Sequence, residues 1–311
     1  MKELSLFLLF FLVFSSIFAD EAVQKYDEKS FDALFKAVSK HYTKEELRKI
    51  VETSLESDEI TEKNLAFIYS PLSLKKQAEN HETYFAKLIN DETVKAGFDF
   101  FEKYKALFCQ IYAETKVEPG DIIGILNWES KLGLVTGEQK IIRIFAAQYF
   151  SGEKINDGLI KSGEYAKEGA MSIEAGKKRV ERLKKNAFSN FKALLIQAKE
   201  IKFDPLEVKG SWAGAIGFPQ FMPASMKFAK DGNGDGKIDL FVMEDAIASV
   251  ANYLKLHGYH EKGSVAAFKA YNNDKIYAEG VKKYSDTIQN AGVKAASCVK
   301  ADPGKVPETS N

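Results

Sequence analysis

Apolar positions recur at intervals of three and four along most of the chain, the spacing that lines up one face of an α-helix. Phe31, Leu34, Phe35 and Val38 make one such face, and Thr43 with Glu46 forms a capping box ahead of Leu47, Ile50 and Val51. A longer helix is predicted from about Glu92, with Val94, Phe98, Phe101, Phe108 and Ile111 as its stripe. No convincing set of alternating strands emerges. The pattern therefore predicts a mainly α fold, with any sheet confined to short ribbons.

The ends and one internal stretch break this pattern. Lys2 precedes an apolar run from Leu4 to Phe18 that closes at Ala19 and turns polar at Asp20, which predicts a secretory signal peptide over 1–19. The run is shorter than the roughly 20 residues that span a bilayer comfortably, no stop-transfer cluster follows, and no Cys near the junction supports a lipid-modified N-terminus. Residues 151–178 are Gly-rich and polar, and read as an excursion from the core. The tail 301–311, "ADPGKVPETSN", has a disordered composition.

Composition narrows the classes. The 311 residues are 45% hydrophobic and 28% charged, enough for a sizeable core, and Lys+Arg equals Asp+Glu at 44 each. A formal net charge of zero leaves no basic footprint for nucleic acid. Of the two cysteines, Cys109 sits in a strongly apolar helical stretch and reads as a buried free thiol, so no bridge to Cys298 is predicted.

The segment "VEPGDIIGILNWESKLG" carries the first candidate chemistry. Pro119 is placed to open a helix and Gly133 to end it. Ile122, Ile125, Leu126 and Glu129 then share one face, so a carboxylate is aimed toward apolar surroundings near a helix C-terminus. Desolvation and the negative end of the helix dipole both oppose ionisation, and such a Glu can stay protonated and act as a general acid. Read alone, Glu129 is expected to reach solvent past the last turn or pair with Lys131, since structural carboxylates far outnumber catalytic ones.

Downstream, Gly210, Ala213, Gly214, Ala215 and Gly217 permit close backbone approach before Gln220, either as tight packing or as part of a carbohydrate cleft. "DGNGDGKIDLF" follows, with Asp231, Asn233, Asp235, Gly236 and Lys237 in the order of the first half of an EF-hand loop. Position 12, which should be a Glu, is Val242. A calcium site, a Gly-rich turn, and a larger loop closed elsewhere all remain open on these residues.

Together, "ESKLGLVTGEQKIIRIFAAQYF", "DPLEVKGSWAGAIGFPQFMPAS", "DGNGDGKIDLF…EDAIASVANYLKLHGY" and "AFKAYNN" resemble the lytic murein transglycosylase B family. The likeness runs from about Tyr84 to the early 280s, with 151–178 as an insertion. It implies a lysozyme-like helical catalytic domain with a helical N-terminal region, so that 20–300 is the catalytic region, 20–83 its N-terminal part and 231–245 an EF-hand-like calcium loop. It also implies cleavage of the MurNAc–GlcNAc β-1,4 bond of peptidoglycan with formation of a 1,6-anhydromuramoyl end. Glu129 matches the catalytic acid, while Ser211, Gln220, Tyr253 and Asn272 match cleft positions, with Tyr271 and Tyr84 as further cleft candidates. Tyr253 is expected to hydrogen-bond near the acid.

The resemblance further implies Ca2+ held by Asp231, Asn233, Asp235, the Lys237 carbonyl and Asp245, with Glu244 as a substitute closing residue, and no organic cofactor. Expected partners are peptidoglycan glycan strands and the cell-wall synthesis or division machinery, in an exported, periplasmic setting. Departures lie at Asn127, Trp128, Leu132, Pro219 and Ala270, and these bear on cleft shape. The rival reading from another class is a non-catalytic, calcium-dependent peptidoglycan-binding protein.

Overall fold

The computed structural model describes residues 26–56, 59–72 and 81–298, without the side chains of 59, 60 and 81–84. In chain order the helices are α1 (Glu28–Val38), α2 (Lys44–Ser54), α3 (Glu59–Tyr69), α4 (His81–Leu88), α5 (Asp91–Lys103), α6 (Lys105–Thr115) and α7 (Pro119–Ser130). They continue as α8 (Ile141–Lys161), α9 (Ile173–Glu200), α10 (Met243–Leu256), α11 (Tyr259–Lys262), α12 (Ser264–Tyr271) and α13 (Lys275–Asn290). A two-stranded antiparallel ribbon pairs β1 (Gln139–Lys140) with β2 (Lys209–Gly210), with Gln139 opposite Gly210. The mainly α expectation is met. The signal peptide 1–19 and the tail 301–311 lie outside the described residues.

The chain divides into two compact units, the first drawn from Met1–Asn80, Gly137–Ile216 and Phe221–Ala224. Its helices start where the sequence provides caps. Asp27 accepts from the Ser30 amide at 2.8 Å, and the predicted capping box closes α2, with the Thr43 amide donating to Glu46 at 2.8 Å. Such a cap contributes about 1 kcal/mol. Phe31, Leu34, Val38, Leu47 and Val51 are fully buried, and they cluster with Ile141, Ile142 and Phe145 of α8 and Phe191, Leu194 and Leu195 of α9.

The stretch 151–178 is not the excursion that its composition suggested. Residues 151–161 are the second half of α8, and Ile155 and Leu159 join Leu65, Ile68, Tyr69 and Val180 in a second core cluster of the same unit. Within 151–161 the charged residues lie on the outer face of an amphipathic helix, whose period is hidden when only glycines and charges are counted, and 162–172 link α8 to α9.

The second unit comprises His81–Thr136, Gly217–Gln220 and Ser225–Asn311. Helix α7 is its axis: every residue from Pro119 to Trp128 is buried, and α5, α6, α10 and α13 pack around it. A helix apolar on all sides must be covered on all sides. Helix α13 supplies one wall with Tyr277, Val281, Tyr284 and Ile288. Its Gly280 has no room for a side chain, because a Cβ there would overlap Trp128.

Two expectations fail in this unit. The long helix from Glu92 is broken at Tyr104 (φ −109°), which separates α5 from α6 and leaves Phe98 38% exposed. Rings gather at the break, with Phe100 against Tyr104 at 4.9 Å and Phe101 against Phe108 at 5.7 Å. Cys109 is also not a free thiol but is bonded to Cys298, their Cα atoms 5.3 Å apart across 189 residues of chain. That Cα separation suits a disulfide. A short 3₁₀ turn at Ala295–Cys298 packs on α6 and brings the second sulfur there, a contact that helical periodicity does not encode.

Candidate active site

Pro119 occupies the first turn of α7 as expected, but the helix ends two residues before Gly133. Lys131 (φ 51°), Leu132 (φ 57°) and Gly133 (φ 95°) are all left-handed. Leu132 N–H donates to the Leu126 carbonyl at 3.1 Å and Lys131 N–H to Asn127 at 3.0 Å, satisfying the last turn. Two consecutive non-glycine residues in this region cost about 1–2 kcal/mol each. Strained backbone of this kind clusters at functional sites, and here it begins two residues after Glu129.

The half-buried Glu129 carboxyl accepts a hydrogen bond from the Tyr277 hydroxyl, with Oη to Oε1 at 2.5 Å. Burial pushes its pKa up from 4.5 to about 7, and the Tyr277 hydrogen bond opposes the rise by favouring the anion. Among the described residues no cation or second carboxylate shapes this value, so water exclusion dominates. A carboxyl poised near 7 is populated in both forms at neutral pH, the condition under which one group can give and then take a proton.

Tyr277 is the residue that the sequence reading missed. Its one signal was position: it begins the buried stripe of α13, where a hydroxyl needs a partner. Tyr253, expected near the acid, donates to the Ala270 carbonyl at 2.9 Å. Its ring lies 3.8 Å from the stacked ring of His257 and meets Tyr271 edge-on at 4.8 Å. Tyr271 is close enough to Glu129 for that charge to help raise the phenol, after the larger effect of burial. Its own hydroxyl donates to Pro219 at 2.5 Å.

Gln220 has φ 51°, and its amide nitrogen donates to the carbonyls of Gly217 at 2.8 Å and Thr136 at 3.2 Å. It thereby ties the Gly217–Gln220 turn to the segment that follows α7. Glu129, Gln220, Tyr253 and Tyr271 thus share the second unit, joined there by Asn272, an exposed residue that caps α12. Ser211 belongs to the first unit, where its Oγ accepts from the Ala215 amide at 3.0 Å. The Tyr84 side chain lies outside the described residues.

The 231–245 loop is organised by its own side chains. Asp231 accepts from the amides of Gly234 at 2.6 Å and Gly236 at 2.8 Å, and Asp235 accepts from Lys237 at 2.8 Å. Asn233 accepts from Asp235 at 2.9 Å. Asp245, 1% exposed on α10, clasps both ends of the loop through the amides of Gly232 at 2.8 Å and Asp239 at 2.7 Å. These donors are all oxygens, the type that Ca2+ takes. Among the described residues no three acidic, His or Cys side chains converge as a metal cluster, so any ion here would also need Asn and backbone oxygens.

Comparison with known proteins supplies the context for this geometry. Residues 20–309 match the transglycosylase SLT domain family. Membrane-bound lytic murein transglycosylase B of Escherichia coli K12 is 32% identical over 193 residues, 59% of this chain, and the matched region spans 43% of that relative's length. The fold is similar to that of the E. coli lytic transglycosylase SLT35 in complex with calcium (TM-score 0.63, 22% identity, 85% of this chain and 92% of that one). It is also similar to SltB3 from Pseudomonas aeruginosa in complex with NAG-NAM-pentapeptide (TM-score 0.58, 17% identity, 86% and 80%). With the match running almost the length of the chain, over a lysozyme-like helical fold, the protein belongs to the transglycosylase SLT domain family, as its likeness to lytic murein transglycosylase B predicted.

Proposed function

We propose that the protein is a peptidoglycan lytic transglycosylase in which Glu129 is the single catalytic acid and base. The observation that carries this reading is the Glu129 carboxyl itself, held at a pKa of about 7 by burial, beside Tyr277, with no second carboxylate among the described residues acting on it. A hydrolase of glycosidic bonds usually needs two carboxyl groups, one as acid and one to activate water or form a covalent intermediate. An intramolecular nucleophile removes the second requirement, because its effective concentration is very high.

The protonated Glu129 gives its proton to the glycosidic oxygen as the bond from muramoyl C1 to that oxygen breaks. The C6 hydroxyl of the same sugar then bonds to C1 and yields its proton to the Glu129 carboxylate. Glu129 ends protonated as it began, no water is consumed, and the product is a 1,6-anhydromuramoyl end. Tyr277 holds the carboxyl in one orientation through both steps, and Gln220, Tyr271 and Asn272 are the cleft candidates of the same unit. The peptide-bearing disaccharide bound by SltB3 is consistent with peptidoglycan as the substrate class.

Asp231, Asn233, Asp235, the Lys237 carbonyl and Asp245 would hold Ca2+ and so brace α10, the helix that carries Tyr253. Calcium in the SLT35 complex is consistent with this. The Cys109–Cys298 bond fits an oxidising compartment and supports export to the periplasm. No helix among the described residues is long and apolar enough to cross a membrane.

The test is to incubate purified murein with the protein and identify the released muropeptides by mass spectrometry. Anhydro-muropeptides that vanish in Glu129→Gln are expected. Hydrated reducing ends would make it a hydrolase, and no release would favour a binding protein.

A further inference from the structure

One face of the second unit holds a feature that bond cleavage does not use. A pocket of about 660 Å³ is lined by Lys255, His257, His260, Lys262, Glu261 and Ala270, with two further residues of the same segment. Two ammonium groups and two imidazoles face a single carboxylate there. Among the described residues neither lysine is in an ion pair with an acidic side chain, so their charge is not cancelled locally. Lys255 Nζ and His260 Nε2 are steered instead by main-chain carbonyls at the end of α6, Glu114 at 3.3 Å and Thr115 at 2.8 Å.

His257 is held more firmly. Its ring stacks on Tyr253 at 3.8 Å and meets Phe228 edge-on at 4.8 Å, while Nδ1 lies 2.7 Å from the Tyr253 carbonyl. A carbonyl only accepts, so Nδ1 carries the proton, and the neutral ring offers Nε2 as an acceptor for an N–H of a ligand.

The pocket adjoins the candidate active site. Ala270 is part of its wall and takes the Tyr253 hydroxyl on its carbonyl, while the next residue, Tyr271, meets the Tyr253 ring edge-on at 4.8 Å. A ligand portion seated there would be anionic and joined to a sugar at the bond being cut. The glycan backbone is neutral at its hydroxyl and acetamido groups, whereas the stem peptide on the muramoyl residue ends in carboxylates.

We propose that the pocket formed by Lys255, His257, His260 and Lys262 binds a carboxylate of the muramoyl stem peptide, making it a specificity site for peptide-bearing strands. This rests on the transglycosylase reading given above. The two ammonium groups attract the carboxylate, and the clamped imidazole accepts from an N–H of the same peptide.

The test uses Glu129→Gln so that binding is measured without turnover. GlcNAc–MurNAc-tetrapeptide and the same disaccharide stripped of its peptide by an amidase are titrated by calorimetry. The peptide-bearing ligand is expected to bind about tenfold more tightly, the scale of one charge-assisted contact, and the advantage should shrink with added salt. Adding Lys255→Ala and Lys262→Ala should erase that advantage, leave the peptide-free ligand unchanged and leave the melting temperature unchanged. Equal binding of the two ligands before these changes, or an advantage that survives them, overturns the inference alone. Binding of neither ligand overturns the transglycosylase reading as well.

Discussion

Tyr277 Oη lies 2.5 Å from Glu129 Oε1, although the two residues are separated by 148 positions in the chain. The bond joins the last turn of α7 to the first turn of α13, and it is the contact that restrains the carboxyl proposed as acid and base. Removing the hydroxyl in Tyr277→Phe deletes a hydrogen bond that favours the anion, so the pKa of Glu129 should move further up. We expect kcat to fall by about tenfold, the loss of about 1.4 kcal/mol of transition-state positioning, with the alkaline limb of the pH–rate profile displaced upward. An unchanged limb would assign Tyr277 a packing role only.

The same burial sets a pH dependence of stability. Folding holds the Glu129 pKa at about 7, above its ordinary 4.5, so the folded state favours the protonated acid. Its contribution is complete below pH 4.5 and is lost as the pH rises through about 7, amounting to at most about 3 kcal/mol. Glu129→Gln, which cannot ionise, should therefore melt higher than the wild type at pH 8, and the gap should close by pH 4. A gap independent of pH would contradict the assignment.

Reduction of the Cys109–Cys298 bond opens a 189-residue separation and should lower stability by about 2–4 kcal/mol. Denaturant titration with and without reductant measures this, and Cys109→Ala with Cys298→Ala should match the reduced protein.

Calcium should raise the melting temperature of the wild type. Asp245→Ala removes both the clasp on Gly232 and Asp239 and a proposed ion ligand, so the rise should disappear along with part of the basal stability. Asp231→Asn keeps one of the two acceptor oxygens that serve Gly234 and Gly236 and loses charge, and should weaken calcium binding with a smaller loss of metal-free stability than Asp245→Ala. If calcium shifts Asp245→Ala as much as the wild type, the ligand set is wrong.

Local rules were enough for much of this molecule. The Thr43–Glu46 box, Pro119 at the start of α7 and the placing of Glu129 on its last turn are contacts within a few residues, governed by helix geometry, and they occur where the sequence puts them. Periodicity also marked Phe31, Leu34 and Val38 as buried. It identifies the face a helix hides without naming what covers it. Tyr277 beside Glu129, Cys298 beside Cys109 and the turning of Tyr253 toward Ala270 depend on how helices distant in sequence pack together. The chain by itself determined most of the helices and set Glu129 on an apolar helical face. Only tertiary packing, by excluding water and bringing one hydroxyl across 148 residues, decided that carboxyl's proton affinity and partner.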